Sequence, residues 1–206
     1  GAYVGALLSL KADLPIVVGI LVGGFVAALV AVIIGLPTTR LKGLYLAIAT
    51  LGFGEVVRVI FLNLDVTNGA LGLSGIPSIP QELTNFAYEI DIDGLMGIDA
   101  VAWGNIMAII ILLIVLIFII AFCVRINNSR VGRAFAAIKA DDHAAELMGI
   151  NVVYYKMMAF ISGAFIAGIG GGLYAHITNF INPTDFSYHK VVQILLFPVF
   201  GGSDRK

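Results

Sequence analysis

Glu55 and Arg58 stand three residues apart in Gly43–Leu64, a stretch in which Thr50 and Asn63 are the other conspicuous polar side chains. On a helix that spacing puts both on one face, close enough to pair. At the centre of a membrane helix each charge costs roughly 2.5–3.5 kcal/mol on insertion scales. Three uses would justify the cost: the residues line a solute path, they lock the bundle, or they form a structural intrahelical pair facing a second subunit. Glu55 used by itself would instead be the proton or cation site of an ion-coupled transporter.

A second chemical cluster is "KADDHAAELMGIN", Lys139–Asn151, where charges and alanines crowd together between apolar stretches. Ser129 is placed to cap "RVGRAFAAIKA", whose Val131, Ala134, Phe135 and Ile138 share one helical face. Asp141 or Asp142 then caps "HAAELM", acids at its start suit the helix dipole, and Gly149 is placed to end it. The spacing predicts two short helices over 129–149. A helix of two turns is marginal in water. With Ala144, Ala145, Leu147 and Met148 expected to be exposed, it needs a membrane surface, the rest of the chain or a cytosolic partner to lean on.

Other chemistries find little support. His176, His189 and Asp185 lack metal-ligand spacing and read as interfacial polar residues. Cys123 is the single cysteine, so no disulfide framework is built. "GIGGGL" lies inside an apolar run, not at a strand-to-helix turn, and no G-x-x-x-x-G-K-[ST] loop occurs, so ATP hydrolysis by that route is excluded for this chain. A net charge of −1 offers no basic face for nucleic acid. No cofactor or metal is expected on the chain itself.

The elements that must position these residues are membrane spans. The sequence is 60% hydrophobic and 12% charged, with a mean hydropathy of +1.02. Leu14–Leu36 runs 23 residues without a charge, and Ile106–Val124 runs 19 without a strongly polar side chain. At about 1.5 Å per residue each crosses roughly 30 Å of hydrocarbon. The fold class is therefore all-α, a polytopic helix bundle. Its four complete spans are Leu14–Leu36, Gly43–Leu64, Val101–Cys123 and Val152–His176, flanked by partial ones at Gly1–Leu10 and 190–201. Both ends of the sequence interrupt apolar runs, so residues 1–206 read as one transmembrane domain cut from a longer chain.

Charge orients the spans. Arg40 and Lys42 occupy the loop 37–42; Arg125, Arg130, Arg133 and Lys139 occupy 124–151; Arg205 and Lys206 close the sequence. The long loop 65–100 carries Asp65, Glu82, Glu89, Asp91, Asp93 and Asp99 with no Lys or Arg. The positive-inside rule then predicts 37–42, 124–151 and the last residues cytoplasmic, with 65–100 and 177–189 external. The same alternation makes the opening stretch cytosolic. "TNGALGLSGIP", Thr67–Pro77, reads either as a re-entrant segment or as a plain loop. Gly19, Gly23, Ala27 and Ala31 recur every four residues, as do Ala164, Gly168 and Gly172 with Gly163, Ala167 and Gly171 beside them. Such faces predict close helix packing in lipid.

"HAAELMG" matches the core of the E-A-A-x-x-x-G coupling motif of ABC importer permeases. Together with "SRVGRAFAAIKADDHAAELMGINVVYYK", "RLKGLYLAIATLGFGEVVR", "GLSGIP" and "FINPTDFS", it resembles the LivM-type permease subunits of branched-chain amino acid ABC transporters over essentially the whole sequence. The resemblance implies a prokaryotic inner or plasma membrane, a second homologous permease subunit, two cytosolic ATPase subunits that bind ATP and Mg, and an extracytoplasmic substrate-binding protein. It implies that Ala144, Ala145 and Gly149 belong to a coupling helix seated on the ATPase. Arg133, Asp141, Asp142, Glu146 and Met148 stand beside them as contact candidates. His143 departs from the motif's glutamate, so no acidic contact carries over to that position.

Overall fold

The computed structural model describes residues 1–12, 14–38, 41, 44–90 and 99–200. Arg40, Lys42, Asp91, Asp93, Arg205 and Lys206, part of the charge pattern, lie outside them. The helices in chain order are α1 (Ala2–Lys11), α2 (Ile16–Thr38), α3 (Leu44–Asn63), α4 (Ile79–Glu89), α5 (Ala100–Asn127), α6 (Arg130–Ala140), α7 (Asp142–Leu147), α8 (Val152–Thr178) and α9 (Tyr188–Phe200). Of these, α2, α3, α5 and α8 are long and apolar enough to cross a membrane, matching the predicted spans within a few residues. With 28 residues, α5 reaches about 42 Å at ~1.5 Å per residue, longer than the hydrocarbon layer. Arg125 stands in its last turn.

Small residues decide where backbones meet. A methyl group on Gly168 of α8 would sit 2.7 Å from Ala27 Cβ and 2.8 Å from Gly24 Cα, so α2 and α8 touch backbone to backbone. Gly5 and Gly19 approach as closely, each pressing on the other's carbonyl near 3 Å. The result is a three-helix core of α1, α2 and α8 in which Ala6, Gly19, Gly23, Ala31, Gly168 and Gly172 are buried. Gly163 and Ala167 are exposed, so that part of the predicted face is not covered within this chain. Gly1 lies between Gly23 and Gly168, part-way along the bundle. The ten residues of α1 run antiparallel to α2 from the far end, over about 15 Å.

At that far end a small cap closes the bundle. Leu73–Ser74 (β1) pairs antiparallel with Phe180–Ile181 (β2), which fastens the segment after α3 to the end of α8. Within Thr67–Pro77 short 3₁₀ turns lead into a strand. The buried Thr67 hydroxyl sits against two carbonyls, 2.7 Å from Phe61 O and 2.8 Å from Leu64 O. Within the predicted external loop lies α4, an amphipathic helix that the sequence reading lacks. It packs on the start of α5, where Ala87 and Ala100 are fully buried beside Trp103. Beyond this contact α5 stands away from α2 and α8. An apolar groove of about 610 Å³ opens between them, walled by Ile16, Ile20, Phe118, Ile169 and Leu173.

Candidate functional site

At the end opposite the cap, α6 and α7 form a bracket held by local chemistry. Ser129 Oγ accepts from the amides of Val131 (3.2 Å) and Gly132 (3.4 Å) and donates to Ile126 O at 2.6 Å. A side chain on Gly132 would come within 2.1 Å of Asn127 O, so a glycine lets α6 turn tightly off α5. As the periodicity predicts, α6 buries Ala134 and Ile138 and half-buries Val131 and Phe135. The Phe135 ring meets Tyr155 of α8 edge-on, centroids 6.3 Å apart. Arg133 is exposed.

Asp141 caps α7, its Oδ1 accepting from the amides of His143 (2.8 Å) and Ala144 (3.2 Å). Asp142 is ion-paired with Lys156 of α8. The helix ends in a Schellman arrangement. Gly149 N donates to Glu146 O at 3.0 Å and Ile150 N to Ala145 O at 3.1 Å, with Gly149 at φ +82°. No atom lies within 4 Å of where its Cβ would be, so glycine is favoured there for its dihedral alone.

The predicted contact set divides here. Ala144, Glu146 and Met148 are exposed together on α7. Ala145, expected to be exposed, is buried at 4%, because the helix needs one small residue where it leans on its neighbours. Asp141 and Asp142 serve the cap and the ion pair, which holds α7 in place. Leu147, outside the contact set implied by the resemblance, is 89% exposed and Met148 83%. The tip of the bracket is thus an uncovered apolar pair, a feature visible in the sequence as two large apolar residues just before the helix stop.

The second candidate lies on α3. Arg58 Nε donates to Glu55 Oε1 at 2.8 Å, and Nη2 donates to the same oxygen. The predicted pair is present, and each partner borders a small cleft. Arg58 lines one of about 180 Å³ with Tyr3, Phe61 and Pro183. Glu55 lines another of about 220 Å³ with Thr50, Tyr188 and Val191. Gly54 and Phe186 border both. The clefts lie where α1, α3, the turn Pro183–Phe186 and α9 approach one another.

His176 departs from its interfacial reading. It is fully buried, with Nδ1 2.8 Å from Pro77 O and Nε2 3.4 Å from Ser9 Oγ, so it joins α8 to the cap and to α1. Among the described residues no group of three or more His, Cys, Asp or Glu side chains gathers into a metal-binding cluster.

Residues 1–204 match the family model described as the permease component of branched-chain amino acid transport systems. The chain is 31% identical over 210 residues to the high-affinity branched-chain amino acid transport system permease protein LivM of Escherichia coli (strain K12), covering 98% of this chain and 49% of that protein. The LivM protein of Salmonella typhimurium gives the same figures, 31%, 98% and 49%. A probable branched-chain amino acid transport permease protein of Methanocaldococcus jannaschii is 26% identical, over 93% of this chain and 54% of its own length. The chain therefore spans about half the length of the curated relatives it matches. No solved structure matches it.

Proposed function

The chain belongs to the permease-component family of branched-chain amino acid transport systems, and from that membership we propose that it forms half of the transmembrane pathway of an ATP-driven importer for branched-chain or related amino acids. It is a multi-pass membrane protein, and in this reading it lies in a prokaryotic inner or plasma membrane. A homologous permease subunit completes the pathway, and an extracytoplasmic binding protein delivers substrate. Two cytosolic ATPase subunits hold ATP and Mg and hydrolyse ATP. The orientation follows the basic residues: 124–151 is cytoplasmic and 65–100 external.

The observation that carries the proposal is the uncovered Leu147–Met148 tip on a capped, braced helix. Two large apolar side chains on a charged bracket are costly in water and favourable in a protein groove. A rigid base lets force on that tip reach the spans: Asp142–Lys156 links α7 to α8, and Phe135 packs on Tyr155. The chemistry of the chain is mechanical, with no covalent step.

The competing reading, an ion-coupled secondary transporter using Glu55, separates cleanly by experiment. Uptake of labelled leucine into vesicles is measured with ATP inside the cytosolic compartment and all ion gradients collapsed. Sustained uptake supports the ATP-driven reading; uptake that disappears with the gradient overturns it. Orientation is tested with Glu146→Cys, which a membrane-impermeant thiol reagent added to intact cells should leave unlabelled.

A further inference from the structure

We propose that Glu55 and Arg58 together bind the zwitterionic head of the transported amino acid, the guanidinium taking its carboxylate and the glutamate its ammonium. This assignment rests on the transport reading above and adds the contact that reading lacks.

Unused bonding capacity is the first argument. Both hydrogen bonds from Arg58 end on Glu55 Oε1. Glu55 Oε2 and Arg58 Nη1 have no partner among the described residues. A guanidinium offers five donors and a carboxylate about four lone-pair sites, so the pair can bind a further group of each sign without coming apart.

Charge balance is the second. A free anion or cation entering this apolar region would leave one member of the pair competing for it. An amino acid carries both charges on one carbon, so its carboxylate and ammonium can meet Nη1 and Oε2 at once in a closed ring of alternating charge. Net charge stays zero throughout, which avoids leaving an unbalanced ion on a membrane-spanning helix. Guanidinium and carboxylate also match in planar geometry.

Space and surroundings agree. The two clefts of about 180 and 220 Å³ flank the pair. They are smaller than the roughly 300–1,000 Å³ of pockets that enclose drug-sized ligands. Their walls include Val57, Phe61, Phe186 and Val191, an apolar lining suited to a branched aliphatic side chain. Tyr3 borders the Arg58 cleft, and its buried hydroxyl has no hydrogen-bond partner among the described residues. Gly54 borders both clefts and has nothing within 4 Å of its Cβ position, so the space next to the pair is open.

The test uses the complete transporter, with its ATPase and permease partners but without the binding protein, in lipid nanodiscs. A leucine analogue carrying a side-chain diazirine is photolysed, and labelled peptides are mapped. Labelling is expected within 50–61 or 183–191. Leucine should protect. Leucine amide and 4-methylpentanoate, each lacking one charge, should protect at least about tenfold less well, the loss of one charge-assisted hydrogen bond. Arg58→Gln, the cleft-filling Gly54→Leu, and the swap Glu55→Arg/Arg58→Glu should each cut labelling by a similar factor. The swap keeps an ion pair but reverses its polarity, so full labelling in it points to a purely structural pair and overturns the proposal. Labelling confined to other peptides does the same. ATP-driven leucine uptake by the unmodified transporter, assayed in parallel with its binding protein, separates the two readings. Uptake without cleft labelling overturns this site alone; absence of uptake overturns the transport reading with it.

Discussion

Lys156, in the second turn of α8, is ion-paired with Asp142 at the start of α7, so the short helix is tied to a spanning helix by one pair of charges. Both side chains are partly exposed, which places the pair among those worth about 0.2–1 kcal/mol. Asp142→Asn or Lys156→Met should therefore leave the fold intact and loosen α7, reducing ATP-driven uptake by up to about fivefold, the factor that 1 kcal/mol represents. The charge-swapped double variant should recover most of the loss in a double-mutant cycle. Uptake per ATP hydrolysed is the quantity to measure.

Neighbouring alanines should respond in opposite ways. Ala144 is exposed and Ala145 is buried at 4%. Ala144→Asp should preserve folding and strip the ATPase subunits from the complex during co-purification. Ala145→Leu forces new volume between α7 and its neighbours, a strain of about 1–3 kcal/mol, and should shift thermal unfolding as well as assembly. Equal behaviour of the two variants in both assays would contradict the geometry.

Gly168 and Gly163 provide a matched pair in one helix. A methyl on Gly168 meets Gly24 Cα at 2.8 Å, whereas a methyl on Gly163 meets nothing within 4 Å outside its own stretch of helix among the described residues. Gly168→Val should prevent α2 and α8 from closing, with little folded protein recovered from membranes. Gly163→Val should accumulate normally. Membrane yield and melting in detergent distinguish them.

His176→Phe removes a buried polar bridge and leaves Pro77 O and the Ser9 hydroxyl without their imidazole partner. A buried group deprived of its partner costs about 1–3 kcal/mol. For a chain of this size that corresponds to a fall in Tm of about 2–12 °C. Proteolysis should accelerate first at the cap, between residues 65 and 78.

The spans were legible because uninterrupted apolar length is a property of the sequence alone. The caps of α6 and α7 were legible because Ser129, Asp141 and Gly149 act on atoms two or three residues away. What escaped detection depends on distant partners. Alanine suits exposed and buried sites alike, so nothing local marks Ala145 as covered. Asp142 finds Lys156 at a separation of 14 residues, and His176 meets Pro77 at a separation of 99. The helix α4 was hidden because its apolar residues lie on one face only, inside a loop recognised by its acids.

None of Tyr45–Asn63 in α3 is buried, whereas α1, α2 and α8 are joined glycine to glycine. The helix left uncovered is the one with the charge pair, so whatever packs on α3 from outside this chain also sets the surroundings of Glu55 and Arg58.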